Sequence, residues 1–110
     1  MRLINIYKKS GKLLPGAAES LYMLLKERDG TINISHDSVP SWSRHVSFLK
    51  SKPYSSWYLI EVSNIAIGAV YLTKRDEIGV FIFKRERGKG YGVKAILQLI
   101  KKHRRGSYLA

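Results

Sequence analysis

Apolar and polar positions interleave from the start of the chain. Leu3, Asn5 and Tyr7 set against Ile4 and Ile6 predict a first strand over residues 2–8, bounded by Lys9-Ser10-Gly11. Pro15-Gly16 interrupts the chain, and Ala17, Ala18, Leu21, Leu24 and Leu25 then recur at helical spacing. That spacing predicts an amphipathic helix over residues 17–28, closed by Asp29-Gly30. Residues 31–39 are polar and read as loop. Pro40 suits a helix start, with Trp42, Val46 and Leu49 on one face of a short helix that ends before Pro53.

The period changes after Tyr54. Residues 57–62 and 65–72 are β-rich runs separated by Ser63-Asn64, a hairpin signal. A second turn at Lys74-Arg75-Asp76 leads into residues 78–83, which are apolar on both faces and therefore predict a central strand covered on both sides. Beyond Gly92 the helical period returns. Val93, Ile96, Leu97 and Ile100 fall at i, i+3, i+4 and i+7, which places a helix over residues 91–104 packed on the strands. Its end carries Lys101-Lys102-His103-Arg104-Arg105 before Gly106, cations where the helix dipole favours them; a solvated helix end is the preferred reading of that run. Ser107-Tyr108-Leu109-Ala110 resembles the opening of another strand. An antiparallel meander feeding one strand–loop–helix unit is an α+β arrangement.

Composition narrows the partners. The chain has 110 residues, 45% of them apolar, enough for one packed domain. Twenty Lys and Arg against eight Asp and Glu leave a formal charge of +12, which points to a polyanionic partner. With no cysteine, disulfides, zinc fingers, iron–sulfur clusters and a thiol nucleophile are excluded. His36, His45 and His103 have no metal-ligand spacing, so no metal is expected; His45 reads as packing beside Trp42 and Val46, His36 as an exposed loop residue. Neither a membrane-spanning run nor a signal peptide is read, and the expected location is cytoplasmic.

The segment that carries chemistry is Arg87-Gly88-Lys89-Gly90-Tyr91-Gly92, between a strand and an amphipathic helix. Three glycines in five residues permit positive φ and leave no Cβ in the way of a ligand, while the helix adds the positive end of its dipole. Arg87, Lys89 and Lys94 add mobile charge. The result is an anion cradle suited to a pyrophosphate. It is not a P-loop, because Lys89 precedes Gly90 and no Ser or Thr follows. Nor is it the dinucleotide fingerprint, which starting at Gly88 would need glycine where Val93 stands.

The pattern R-x-x-G-x-G directly after a strand resembles the acyl-carrier site of the GNAT superfamily of acetyl-CoA-dependent N-acetyltransferases. Residues 54–110 are similar to that family's strands, loop and helix, and residues 1–53 match it in element order. The resemblance implies a mixed, mainly antiparallel sheet with flanking helices. It also implies coenzyme A pyrophosphate on the backbone of residues 87–92, and a pantetheine arm paired with the backbone of Val80, Phe81 and Ile82. An amine acceptor would attack the thioester directly, to give N-acetylation of a small molecule or peptide. Glu77, entering the strand, is the candidate general base, although a turn residue offsetting Lys74 and Arg75 is the preferred reading. Residues 34–49 faintly resemble members that acetylate amino-sugars. Trp42, Trp57 and Tyr58 are core by default rather than pocket walls.

The family continues through a fifth strand, a helix that commonly carries a Tyr for protonating the thiolate, and a final hairpin. Residues 1–110 are therefore expected to be an incomplete domain, whose open sheet edge pairs with more of the same chain or with a second copy. The alternative function is a basic nucleic-acid-binding module. The charge favours it, but no helix-turn-helix or paired sheet aromatics of the RNA-binding type are visible.

Overall fold

The computed structural model describes residues 1–32 and 39–103. Four strands form one antiparallel sheet in chain order: β1 (Arg2–Asn5), β2 (Ser56–Val62), β3 (Ile65–Leu72) and β4 (Ile78–Ile82). Between β1 and β2 run α1 (Ala17–Ile32) and α2 (Trp42–Lys50), and α3 (Tyr91–Lys102) follows β4. This is the α+β class that the periodicities predict.

Alternation along the strands sorts side chains onto two faces. On β2, Trp57 and Leu59 join Ile6, Ala17, Leu21, Leu24 and Leu49 in a core under α1 and α2. Tyr58 and Ile60 join Val70, Leu72, Ile78, Ala95 and Leu99 in a second core under α3. The sheet is thus the middle of three layers. Ser63 and Asn64 both take left-handed φ (52° and 65°), as a two-residue hairpin turn requires. The register then steps from Ile60↔Gly68 to Glu61↔Ala66. Ile67 is left as a bulge and is turned to the α3 face.

Several boundaries differ from expectation. The first strand stops at Asn5, and Tyr7 makes only a bridge to Leu13. Helix α1 runs on through Asp29 and Gly30 to Ile32, since a helical glycine costs about 1 kcal/mol without ending the helix. Helix α2 begins after Pro40: Ser41 is its N-cap, with Oγ accepting from Arg44 N–H at 3.3 Å. Its buried residues are His45 and Leu49, while Trp42 is 44% exposed. On α3 the inward residues are Ala95 and Leu99, flanked by Tyr91, Ile96 and Ile100; Val93 and Leu97 of the expected face are exposed.

The most consequential correction concerns β4. Among the described residues it is the outer strand of the sheet, not a central one. Both its faces are nonetheless covered, Phe81 by the α1–α2 core and Ile78 and Ile82 by the α3 core. A run apolar on both sides reports covered faces and says nothing about its edges. The strand expected from Ser107, and Arg104 and Arg105 at the helix end, lie outside the described residues, as does His36.

Candidate functional site

The phase of the β3–β4 ladder decides which backbone groups of β4 are free. Thr73 N–H donates to the Glu77 carbonyl and Phe83 N–H to the Ile67 carbonyl, both at 2.8 Å. Bonded and non-bonded positions alternate in an antiparallel pair, so Gly79 and Phe81 bond across to Tyr71 and Ala69. Ile78, Val80 and Ile82 therefore turn their N–H and C=O groups away from β3, toward the outer edge. The three residues expected together as a pairing surface divide accordingly. Val80 and Ile82 present backbone at the edge; Phe81 does not, because its backbone groups face β3.

Beyond β4 the chain makes a 3₁₀ turn at Lys84–Glu86, with Glu86 N–H bonded to the Phe83 carbonyl at 2.8 Å. The Lys84 N–H is taken by the Glu27 carboxylate of α1. Gly88 and Gly90 then adopt φ of +81° and +82°, with no atom within 4 Å of where a Cβ would stand. Glycine is demanded at these two positions by conformation and not by crowding. Gly92, expected in the same role, instead lies inside α3, where a Cβ would meet only Ile82 Cγ1 at 3.9 Å.

Gly90 is the N-cap of α3, and the Lys94 N–H closes onto its carbonyl at 3.2 Å. The N–H groups of Tyr91, Gly92 and Val93 have no partner in the helix and point out of its positive end beside the glycine turn. Lys84, Arg85, Arg87, Lys89 and Lys94 cluster along this segment, with Glu86 the one carboxylate in it. Lys89 Nζ pairs with Glu86 at 3.1 Å, and the Lys94 ammonium stands 5.9 Å from the centre of the Tyr91 ring. Arg87 is not the mobile charge expected. Its Nε donates to the Ile82 carbonyl at 3.0 Å and its guanidinium lies over the Phe81 ring at 5.0 Å, so it pins the turn to the end of β4.

Glu77 lies at the opposite end of the strand. Five residues at about 3.4 Å each separate it from Ile82 by roughly 17 Å. Its N–H donates to Thr73 Oγ1 at 3.0 Å, so its backbone closes the β3–β4 turn while the carboxylate is exposed. It makes no ion pair with Lys74 or Arg75 among the described residues. His45 is 2% exposed, and its Nε2 donates to the Ala18 carbonyl at 2.9 Å, which leaves Nδ1 unprotonated in the neutral ring. His103 Nε2 meets the Tyr58 hydroxyl at 2.7 Å, and burial raises that phenol above its ordinary value. Among the described residues no three His, Asp or Glu side chains converge on a metal-sized site. None of the described helices is long and apolar enough to cross a membrane.

Sequence reasoning did not anticipate a cavity between the helices α1 and α2 and the sheet, walled in part by Tyr54, Trp57, Tyr71 and Phe81. Trp57 is a core residue, as expected, and is also one of its walls; Tyr58, also core, lies on the other face of the sheet.

No family model and no curated protein sequence matches the chain. Similar solved structures include a domain from Methanocaldococcus jannaschii, with a TM-score of 0.61 and 18% identity over 84% of this chain and 68% of that one. Another is RimL, a ribosomal L7/L12 alpha-N-protein acetyltransferase in complex with coenzyme A, with a TM-score of 0.58 and 17% identity over 93% of this chain and 64% of that one. The chain therefore spans about two thirds of the length of each. Its antiparallel sheet with flanking helices resembles the fold of an acetyltransferase whose solved structure holds coenzyme A.

Proposed function

We propose that the chain is an acetyl-CoA-dependent N-acyltransferase of the GNAT type, with residues 1–110 belonging to one such domain. One observation carries the reading: among the described residues an outer strand, with outward-facing backbone at Ile78 and Val80 and an outward Ile82 N–H, leads through a short 3₁₀ turn into a left-handed glycine turn and an exposed helix N-terminus. The N–H groups from Gly88 to Gly92, flanked by Arg87 and Lys89, suit a pyrophosphate. Val80, with both backbone groups, and Ile82, with its N–H, offer an extended arm pairing of the kind that a further strand would take.

Coenzyme A would supply an acyl group activated as a thioester. The chain's part is to hold and polarise. Val80 N–H, aimed outward, would donate to the thioester carbonyl oxygen, and a fixed donor there would stabilise negative charge that develops on attack. Holding the amine beside the thioester supplies much of the remaining advantage, so no nucleophilic side chain is required. The acceptor is a primary amine.

Calorimetry with coenzyme A tests the site. Wild type is expected to bind, Gly90→Val to lose binding because a β-branched residue resists φ of +82°, and Lys101→Ala, far along α3, to bind as wild type does. Equal affinity in all three folded proteins would remove the assignment.

A further inference from the structure

The cavity under α1 and α2 has a volume of about 120 Å³. Leu24, Phe48, Tyr54, Trp57, Tyr71 and Phe81 supply most of its wall, and among the described residues no Asp, Glu, Lys or Arg lines it. Its rings are held in fixed relation. Tyr54 and Tyr71 stack with centroids 4.1 Å apart and planes 9° from parallel, and Trp57 stands edge-on to Tyr54 at 4.7 Å and to Tyr71 at 5.9 Å.

Four walls carry side-chain polar atoms: His45, Trp57 and the phenols of Tyr54 and Tyr71. His45 has its Nε2–H committed to the Ala18 carbonyl. The Trp57 indole N–H is buried with no partner, in a residue only 9% exposed. An unpaired buried donor is costly, and such groups are normally satisfied by protein, water or ligand. Size limits what can enter: an apolar cavity of about 150 Å³ accepts benzene, so this smaller one holds at most a single ring. Chemistry limits it further. A polyhydroxylated sugar would bury most of its hydroxyls among ring faces and hydrocarbon, since six of the ten lining residues carry no side-chain polar atom.

We propose that this cavity binds one small aromatic ring bearing a hydrogen-bond acceptor, a phenol or a benzene of similar substitution, with its acceptor on the Trp57 indole N–H. The binding is independent of the acyltransferase reading. Only a role for the ring as the anchor of the amine acceptor rests on that reading, through Phe81, which is both a cavity wall and the residue between Val80 and Ile82 on β4.

The test is ¹⁹F NMR titration of 4-fluorophenol and 4-fluorotoluene with the whole chain, without coenzyme. Both are expected to bind. In Trp57→Phe the ratio of their affinities should shift about fivefold toward the toluene, the effect of losing one hydrogen bond. Ala69→Leu fills the cavity from β3 and should abolish binding of both. If that variant does not fold by thermal melt, Phe48→Ala, at a half-exposed wall, should weaken both severalfold. Binding of neither ring to wild type, an unchanged ratio in Trp57→Phe, or glucosamine displacing the phenol at equal concentration would each overturn the proposal. The first of these outcomes would leave coenzyme binding untouched, which separates the two readings.

Discussion

Gly88 and Gly90 hold φ values that cost a residue with a β-carbon about 1–2 kcal/mol, whereas Gly92 sits in a helix, where glycine is about 1 kcal/mol worse than alanine. The same substitution should therefore act in opposite directions two residues apart: Gly90→Ala is expected to lower stability by about 1 kcal/mol and Gly92→Ala to raise it by a few tenths to about 1 kcal/mol, read from urea midpoints at unchanged slope. If both lower it alike, the helix does not begin where Gly90 caps it. The three glycines were legible as a group from spacing, but which of them needed left-handed backbone was not, because that depends on where the helix starts. Arg87 was legible as a charge and not as a clamp, since its partners, the Ile82 carbonyl and the Phe81 ring, are reached only when the turn folds back. Burial raises the phenols of Tyr7 and Tyr58 above their ordinary value of 10.0. The folded state disfavours the phenolate, so this stability is complete below about pH 10 and is lost as pH rises through the raised values. Melting temperature should hold up to about pH 10 and fall beyond it, less steeply in Tyr58→Phe. An identical alkaline slope in both proteins would place the sensitivity elsewhere.

Element-scale patterns succeeded where one face decides and failed where several do. The hairpin was visible from Ser63-Asn64, yet counting outward from that turn pairs Trp57 with Val70. The bulge at Ile67 shifts the register so that Trp57 faces Tyr71 instead, and no periodicity announces a bulge. That one-residue step assembles the aromatic wall of the cavity. On the other side of β3, the unshifted ladder with β4 lays Tyr71 across Gly79, where any β-carbon would collide with its ring. On α3, Lys94, Gln98, Lys101 and Lys102 form a polar stripe opposite Ile96, Leu99 and Ile100; the expected i, i+3, i+4, i+7 set counted Val93 and Leu97, at the border of the apolar face, in place of Ala95 and Leu99. The ladder phase makes a sharper prediction about β4. Val80 N–H points outward, so Val80→Pro removes no bond of the sheet and should fold with a melting temperature near that of wild type, while losing coenzyme A binding. Phe81→Pro removes a bond to β3 and should unfold the protein or lower its melting temperature severely. Circular dichroism melts with calorimetry separate the two effects; equal damage from both substitutions would mean that the assigned phase is wrong.

At the scale of the whole molecule, opposed forces act on the same edge. Among the described residues the outer side of β4 has no strand beside it and carries a Val80 that is 37% exposed, and Val93 and Leu97 of α3 are 65% and 61% exposed. Such an edge promotes pairing with another chain. Against this, two copies each carrying +12 repel, and that repulsion is screened within about 10 Å at 0.1 M salt. Self-association should therefore strengthen as salt rises. Binding to nucleic acid would weaken over the same range, because it draws on the release of counterions. Sedimentation velocity at roughly 0.05 M and 0.5 M salt is expected to show the larger species favoured at the higher concentration. Val80→Lys, which sets a charge on the edge, should suppress it at both. A single monomeric boundary at both salt concentrations would show that the β4 edge is closed by the chain itself. Association that instead dissolves with salt would point to bridging by a polyanion, and so to the basic surface in place of the sheet edge as the contact that matters.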